Sequence, residues 1–173
     1  AQAVPYSILD GYNQCCSNVL KSTFSQAGYY GPSTGTTTIS GNLAIEGPGI
    51  TVQNTIVEGD LLLGQGIAGG SVELHNVTVN GRTTLRSGGV NSSIIANDFS
   101  SKSVVIDVPG GSRAEVYLKG KSKVNNVQIL SNCLIDDTEA TGGGFVDIDI
   151  LQGNDVTLSG EFNTAGISSS GTV

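Results

Sequence analysis

The sequence predicts an all-β fold, a right-handed parallel β-solenoid, on three observations. Glycine-containing turns recur in steps of 21, 19 and 22 residues, at Gly49, Gly70, Gly89 and Gly111. An asparagine recurs in step with these turns, at Asn54, Asn76 and Asn97. Between these marks, apolar and polar residues alternate. A period of about 21 residues that holds three short strands is one turn of a chain that stacks on itself.

The elements of one turn repeat in the next. Two successive periods give three strands each, 50–54, 55–60 and 61–63, then 71–76, 77–82 and 84–86. Because alternate side chains of a strand point to opposite sides, Val, Ile and Leu are predicted to face the interior. Equivalent residues of successive turns then lie about 4.8 Å apart. The recurring asparagine is either a hydrogen-bonded ladder along the stack or a residue suited to a left-handed turn.

The later strands set the predicted boundaries. Alternation continues at 104–106, 114–118 and 124–130, and resumes at 145–150 and 156–158. The segment from Cys133 to Gly144 breaks the period and is predicted to be a loop that leaves one turn. We predict roughly six turns over residues 36–165. A non-repetitive N-terminal arm or cap (1–35) precedes them and also connects subunits, and a polar C-terminal tail (166–173) follows them. A β-sandwich is the alternative, which the regular spacing disfavours.

Composition excludes several classes of function. The chain has 25 glycines and no Met or Trp, and 13% of its residues are charged, so hydroxyl and amide groups must cover its surface. A net charge of −7 and a pI near 4.4 argue against nucleic acid as a partner, because phosphate binding needs a basic surface. No apolar run has the length of a transmembrane helix. We expect an extracellular or cell-surface protein without membrane insertion.

Two stretches of the repeat resemble a known group of sequences. Residues 50–61, ITVQNTIVEGDL, and 72–81, VELHNVTVNG, resemble β-helix repeats of secreted surface proteins of Gram-positive bacteria, which often accompany S-layer-homology anchoring domains. These repeats look like distant relatives of the pectate-lyase-type right-handed β-helix. The resemblance covers roughly residues 45–165 and implies the fold. It implies no particular activity, since one fold hosts many functions.

The sequence offers no catalytic constellation, and we predict that the protein is not an enzyme and needs no cofactor. A polysaccharide lyase of this fold needs a base and an acidic cluster that holds calcium. The single histidine, His75, lies in a predicted strand, where a surface role is the simpler interpretation. Weak calcium candidates lie in the predicted loop, at Asp136, Asp137 and Glu139, because carboxylates are ligands for hard cations. A solvated acidic surface is the simpler interpretation of these three.

The cysteines predict a contact between subunits. Cys15 and Cys16 lie in the arm and Cys133 in the predicted loop, so all three are expected to be exposed. Three cysteines leave at least one without a partner in the chain. In an oxidising compartment, Cys15 or Cys16 of one copy is expected to form a disulfide with Cys133 of another. One intramolecular disulfide and a free thiol is the alternative.

Charge is unevenly distributed along the chain. Seven of the eight Lys and Arg residues lie between Arg82 and Lys123, whereas residues 124–173 contain seven acids and no Lys or Arg. Sequence position is axial position in a solenoid, so the rod is predicted to have a basic middle and an acidic C-terminal third. Such an arrangement suits subunits that meet with opposite charges in contact. Chance clustering is the alternative.

We therefore predict an extracellular structural subunit that assembles with copies of itself into a fibre, appendage or surface layer. Its contacts are the N-terminal arm, the solenoid ends and intersubunit disulfides. The alternative is a non-catalytic module of a cell-surface protein that binds cell-wall polysaccharide, and a third option is an inactive relative of the lyases. The aromatic residues disfavour polysaccharide binding, because only Tyr117 falls in a predicted turn. The other tyrosines precede the solenoid, at Tyr6, Tyr12, Tyr29 and Tyr30.

Overall fold

A computed structural model describes residues 21–152 and 155–168, which form one continuous β-structure. Its fifteen strands are β1 (Lys21–Phe24), β2 (Gly28–Tyr30), β3 (Thr37–Ile39), β4 (Asn42–Ile45), β5 (Ile50–Val57), β6 (Leu61–Leu63), β7 (Ser71–Leu85), β8 (Ser93–Asn97), β9 (Ser100–Ile106), β10 (Ala114–Gly120), β11 (Lys123–Ile129), β12 (Cys133–Ala140), β13 (Gly144–Ile150), β14 (Val156–Ser159) and β15 (Thr164–Ile167). Two short 3₁₀ turns, Gln65–Ile67 and Pro109–Gly111, interrupt them. The described residues contain no helix that is long and apolar enough to cross a membrane.

Every strand pairing is parallel, and paired residues are 17 to 23 positions apart in sequence. Each strand therefore pairs with its equivalent one turn later. The predicted all-β fold and the predicted parallel solenoid of roughly six turns are confirmed. The strands β1 and β2 lie in the segment predicted to be an arm or cap, and they pair with β4 and β5.

The pairings define three faces. Face A contains β1, β4, β6 and β15 together with the C-terminal ends of β7, β9, β11 and β13. Face B contains β2, the N-terminal parts of β5 and β7, and then β8, β10, β12 and β14. Face C contains β3, the C-terminal half of β5, the middle of β7, and the N-terminal ends of β9, β11 and β13.

The core is a set of apolar columns that run along the axis. On face A, one inward column gains a large apolar side chain at every turn: Phe24, Ile45, Leu63, Leu85, Ile106, Ile129, Ile150 and Ile167. The central members are fully buried, whereas Ile167 at the C-terminal end is 75% exposed. No further turn covers Ile167 in the described part of the chain, so this last member of the column faces solvent.

A second repeat lies at the corner between faces B and C. Asn54 and Asn76 have φ values of 48° and 52°, the left-handed region in which asparagine is tolerated. The Asn76 side-chain amide also donates to Asn54 Oδ1 at 2.8 Å, and Asn54 Nδ2 donates to the Pro32 carbonyl at 2.9 Å. Both interpretations of the repeated asparagine therefore apply to these two turns.

The sequence predicted Asn97 as the third member of this repeat, and that prediction was wrong by one residue. Asn97 is the last residue of β8, and Asp98, at φ 54°, takes the left-handed position. Gly120, at φ 60°, takes it in the following turn. Residues with short or absent side chains adopt this conformation at little cost, so the position repeats every 22 residues as Asn, Asn, Asp and Gly.

The predicted loop between Cys133 and Gly144 was also wrong. Cys133–Ala140 forms β12, which pairs in parallel with β10 on one side and β14 on the other. The period is disturbed because Asp137 and Thr138 lie opposite the single residue Leu118. Such a β-bulge adds one residue to a strand without removing the strand from the sheet.

Candidate functional site

The cysteine predicted to lie in an exposed loop lies in the core instead. Cys133 is 0% exposed and is a free thiol in β12, in register with Ala114 and Val156 of the neighbouring turns. Burial raises the pKa of this thiol to about 12, with Asp155 adding to the shift and Arg113 opposing it. Cys15 and Cys16 lie outside the described residues. The prediction that Cys133 is exposed is wrong. Side chains of β12 alternate between inward and outward as they do in the other strands, and Cys133 occupies an inward position.

Cys133 is expected to be chemically inert while the chain is folded. Thiolate is the reactive form, and a buried thiol with a raised pKa supplies very little of it at pH 8. In a Cys15→Ser/Cys16→Ser variant, we expect no labelling by a thiol-specific disulfide reagent over hours without denaturant, and one thiol per chain in urea. Rapid labelling of the folded variant would contradict the buried position of Cys133.

The three calcium candidates do not converge on one point. Asp136 faces outward, and its Oδ1 accepts hydrogen bonds from the Thr138 backbone N–H and hydroxyl. Asp137 faces inward and is 5% exposed. Glu139 accepts a hydrogen bond from Lys119 Nζ at 3.0 Å. Within residues 21–152 and 155–168, no group of three or more His, Cys, Asp or Glu side chains could hold a metal ion.

The sequence predicted Asp137 only as one of three calcium candidates, and it did not predict that this carboxyl is buried. Its Oδ2 accepts the Phe145 backbone N–H at 2.8 Å, whereas its buried Oδ1 has no hydrogen-bond partner. Gly144 and Gly160 approach this carboxyl so closely that a Cβ at either position would overlap it. The carboxyl forms one wall of a cleft of about 730 Å³, whose other walls include Thr138, Ala140, Thr141, Gly143 and Glu161.

Burial raises the pKa of Asp137 above its ordinary 3.8, and the negative charge of Asp136 adds to this, while backbone N–H groups of Phe145 and Glu161 oppose it. A pKa raised by folding stabilises the fold below pH 3.8, and that contribution is lost as the pH rises through the folded value. We therefore expect Asp137→Asn to be more stable than the parent chain at pH 7, with the difference shrinking towards pH 3. Urea unfolding of both chains from pH 3 to 7 measures this difference. A less stable Asn variant at pH 7 would show that a partner stabilises the ionised carboxylate.

The predicted charge segregation exists in the sequence, and the structure shows how part of it is used. Three ion pairs connect different turns: Arg86–Asp107 at 3.2 Å, Arg113–Asp155 at 3.1 Å and Lys119–Glu139 at 3.0 Å. Arg113 also donates to Thr157 Oγ1 at 2.9 Å. Three of the seven basic residues of the middle turns therefore neutralise acids of their own chain.

Face B carries the remaining predicted candidates. His75 Nε2 lies 2.8 Å from Glu73 Oε2, and both side chains are partly exposed. Tyr29 lies in β2, within the segment predicted to precede the solenoid, and the strand register places it in the same outward row as Tyr117. Thr51, Glu73 and Ile95 separate the two rings along that row. Tyr117 donates to Glu115 at 3.1 Å, and burial, then Glu115, raise its pKa.

The two ends of the solenoid are open in the described part of the chain. At the N-terminal end, β1, β2 and β3 each pair with one strand only, and at the C-terminal end the same holds for β14 and β15. All four residues of β15 are exposed. An unpaired strand edge next to an exposed apolar side chain is a surface on which a further strand can add.

No protein family, curated protein or solved structure matches this chain. The parallel solenoid is therefore established by geometry alone.

Proposed function

We propose that the protein is an extracellular structural subunit that assembles with copies of itself by stacking solenoid ends. The observation that carries the proposal is the C-terminal end of the described residues, where Ile167 continues a buried column yet is 75% exposed. A following turn would bury Ile167 as it buries the equivalent Ile129 and Ile106. The low content of charged residues, 13%, fits a secreted surface rich in hydroxyl and amide groups.

The sense of the strands determines the geometry of stacking. Because every rung is parallel, the C-terminal edge of one copy presents the groups that the N-terminal edge of the next copy requires. In that arrangement, Ile167 of one copy would lie in the face A column one turn before Phe24 of the next copy. A head-to-tail contact of this kind does not close on itself and generates an open filament. A fibre or appendage is therefore the favoured product.

The test is negative-stain electron microscopy and light scattering of the purified chain with two variants. Ile167→Asp places a charge on the open end, and we expect it to abolish filaments while leaving the fold intact, because Ile167 is already exposed. Val90→Asp is the matched control, since Val90 is 85% exposed and lies away from both ends. Filaments that form equally well in the Ile167→Asp variant would overturn stacking through this end.

The disulfide part of the proposal is tested in the same experiment. Since Cys133 is buried, the cysteines proposed to join copies are Cys15 and Cys16. Non-reducing electrophoresis of the assembled chain is expected to show dimers that disappear in Cys15→Ser/Cys16→Ser. Persistence of filaments in reductant would leave end stacking as the cause of assembly, without disulfides.

A second candidate is a carbohydrate-binding module, favoured by the two tyrosines in one outward row of face B. Four rungs separate Tyr29 from Tyr117, roughly 19 Å at the strand-pairing distance. Tyr29 is 79% exposed, and an exposed ring can stack on a sugar. Calorimetric titration with cell-wall polysaccharide tests this function. Heat of binding that vanishes in Tyr29→Ala and Tyr117→Ala would favour it over assembly.

A further inference from the structure

The basic residues of the middle turns that make no internal ion pair lie on neighbouring turns, beside the carboxylates of Asp60 and Asp98, which accept the backbone N–H groups of Arg82 and Lys121. They are Arg82, Lys102, Lys121 and Lys123, all exposed, and none of them makes an ion pair within the described residues. Lys123 lies in the outward row of face C, in register with Ser100. Arg82 is in register with Ser103, the neighbour of Lys102, and Lys121 lies in the turn that leads into Lys123. We call these four residues the basic patch.

The turns on both sides of the basic patch are acidic. Residues 21–81 contain four acids, Glu46, Glu58, Asp60 and Glu73, and one basic residue, Lys21. Residues 124–168 contain seven acids and no Lys or Arg. Along the axis the rod is therefore negative, positive and negative. Asp149 and Glu161 are exposed in the C-terminal turns and make no ion pair in the described part of the chain.

This order of charges distinguishes the possible contacts between copies. Copies stacked end to end place the acidic C-terminal turns against first turns in which residues 21–45 contain Lys21 and no acid. Copies side by side in register place the basic patches against each other. The in-register arrangement is repelled at low ionic strength. Copies side by side with an axial offset of about half a rod place the basic patch of one against the acidic turns of the other, which is attractive.

We propose that the basic patch is a lateral docking surface for the acidic C-terminal turns, 124–168, of a second copy, held with an axial offset. The inference rests on the proposed self-assembly and adds its sideways contact. It follows that the two contacts respond differently to salt. Added salt weakens the lateral contact by screening attraction, whereas end stacking through the apolar Ile167 is not weakened in this way.

The test compares two variants with the same net charge. Lys102→Gln/Lys121→Gln/Lys123→Gln neutralises most of the patch. Gln26→Glu/Gln65→Glu/Val90→Glu changes the net charge equally at exposed positions outside the basic patch and outside the acidic C-terminal turns. At about 20 mM salt, we expect the first variant to need roughly tenfold more protein for lateral association, judged from the modest strength of exposed charge pairs. The second variant is expected to associate like the parent chain.

A charge exchange excludes a merely structural effect of the lysines. Lys102→Glu/Lys121→Glu/Lys123→Glu and Asp149→Lys/Glu161→Lys are each expected to lose lateral association alone. An equimolar mixture is expected to regain it, with the two chains alternating side by side. Circular dichroism of each variant checks that it is folded. A mixture of folded variants that stays dispersed would overturn the assignment of the two surfaces.

The other outcomes separate this inference from the proposed function. Single filaments with no lateral association of the parent chain at any salt concentration would overturn the basic patch as a docking surface and support end stacking. Isolated particles under every condition would overturn self-assembly and the inference together. Binding of the monomer to an immobilised anionic polysaccharide, lost in the glutamine variant of the patch, would reassign the patch to a glycan.

Discussion

Replacing Phe145 by alanine will destabilise the fold by about 3–5 kcal/mol, the usual range for removing a buried phenylalanine. Phe145 is 1% exposed and is among the largest fully buried side chains of the chain. It lies in register with Val124 of the preceding turn, so its loss leaves a cavity between two turns. Such a loss is a large fraction of the total stability of an ordinary domain. Urea unfolding followed by circular dichroism measures the change.

The loss should be concentrated in the C-terminal turns. A solenoid is stabilised by contacts between neighbouring repeats, so damage at one repeat spreads only to its neighbours. Amide hydrogen exchange is expected to accelerate in β12 to β15 while β4 to β7 keep their protection. Tyr29→Ala is the matched control, because Tyr29 is 79% exposed and its removal should change stability by less than about 0.5 kcal/mol. A uniform loss of protection from β4 to β15 would contradict the local behaviour.

Replacing Asn76 by valine will cost about 2–3 kcal/mol even though Asn76 is exposed. The left-handed conformation costs an ordinary residue about 1–2 kcal/mol, and a β-branched side chain is especially disfavoured there. The variant also loses the hydrogen bond to Asn54 Oδ1, a bond of the kind that contributes about 0.5–1.5 kcal/mol. Thermal and urea unfolding measure the sum.

Asn76→Gly separates the two contributions. Glycine accepts the φ of 52° without strain and removes only the hydrogen bond, so a loss below about 1 kcal/mol is expected. Equal losses for valine and glycine would show that backbone strain has no part in the effect.

Much of the fold could be predicted because the information is periodic. The Asn54 and Asn76 spacing and the alternation of β5 and β7 each describe one turn, and repetition turns a weak local signal into a strong one. The glycine turns were placed to within one residue: Gly49, Gly89 and Gly111 have positive φ, and Gly69 takes this role in place of Gly70.

Prediction failed where different residues satisfy the same physical requirement. The left-handed corner is Asn in two turns, Asp98 in the next and Gly120 after that, so the residue type changes while the backbone conformation does not. In β12, the inward position at Asp137 holds a carboxylate instead of an apolar side chain. This charged residue interrupts the alternation of apolar and polar residues, so the sequence of the strand resembled that of a loop.

The site residues were less predictable than the fold, because their environment depends on contacts distant in sequence. Whether Cys133 is exposed depends on Ala114 and Val156, which flank it in the stack. The ion pair between Arg113 and Asp155 connects residues 42 positions apart. The basic patch was visible in the sequence only as a regional excess of Lys and Arg. Its position on one face required the strand register.

The equal spacing of Asn54, Asn76, Asp98 and Gly120 means that the length of this rod is adjustable in discrete units. Duplicating residues 55–76 would return the chain to the same corner with every later side chain on its original face. The rod would grow by about 4.8 Å, the distance between paired strands. An insertion of a few residues would instead have to bulge outward. A gene that gains or loses whole 22-residue units can therefore alter the reach of the protein without redesigning its interior.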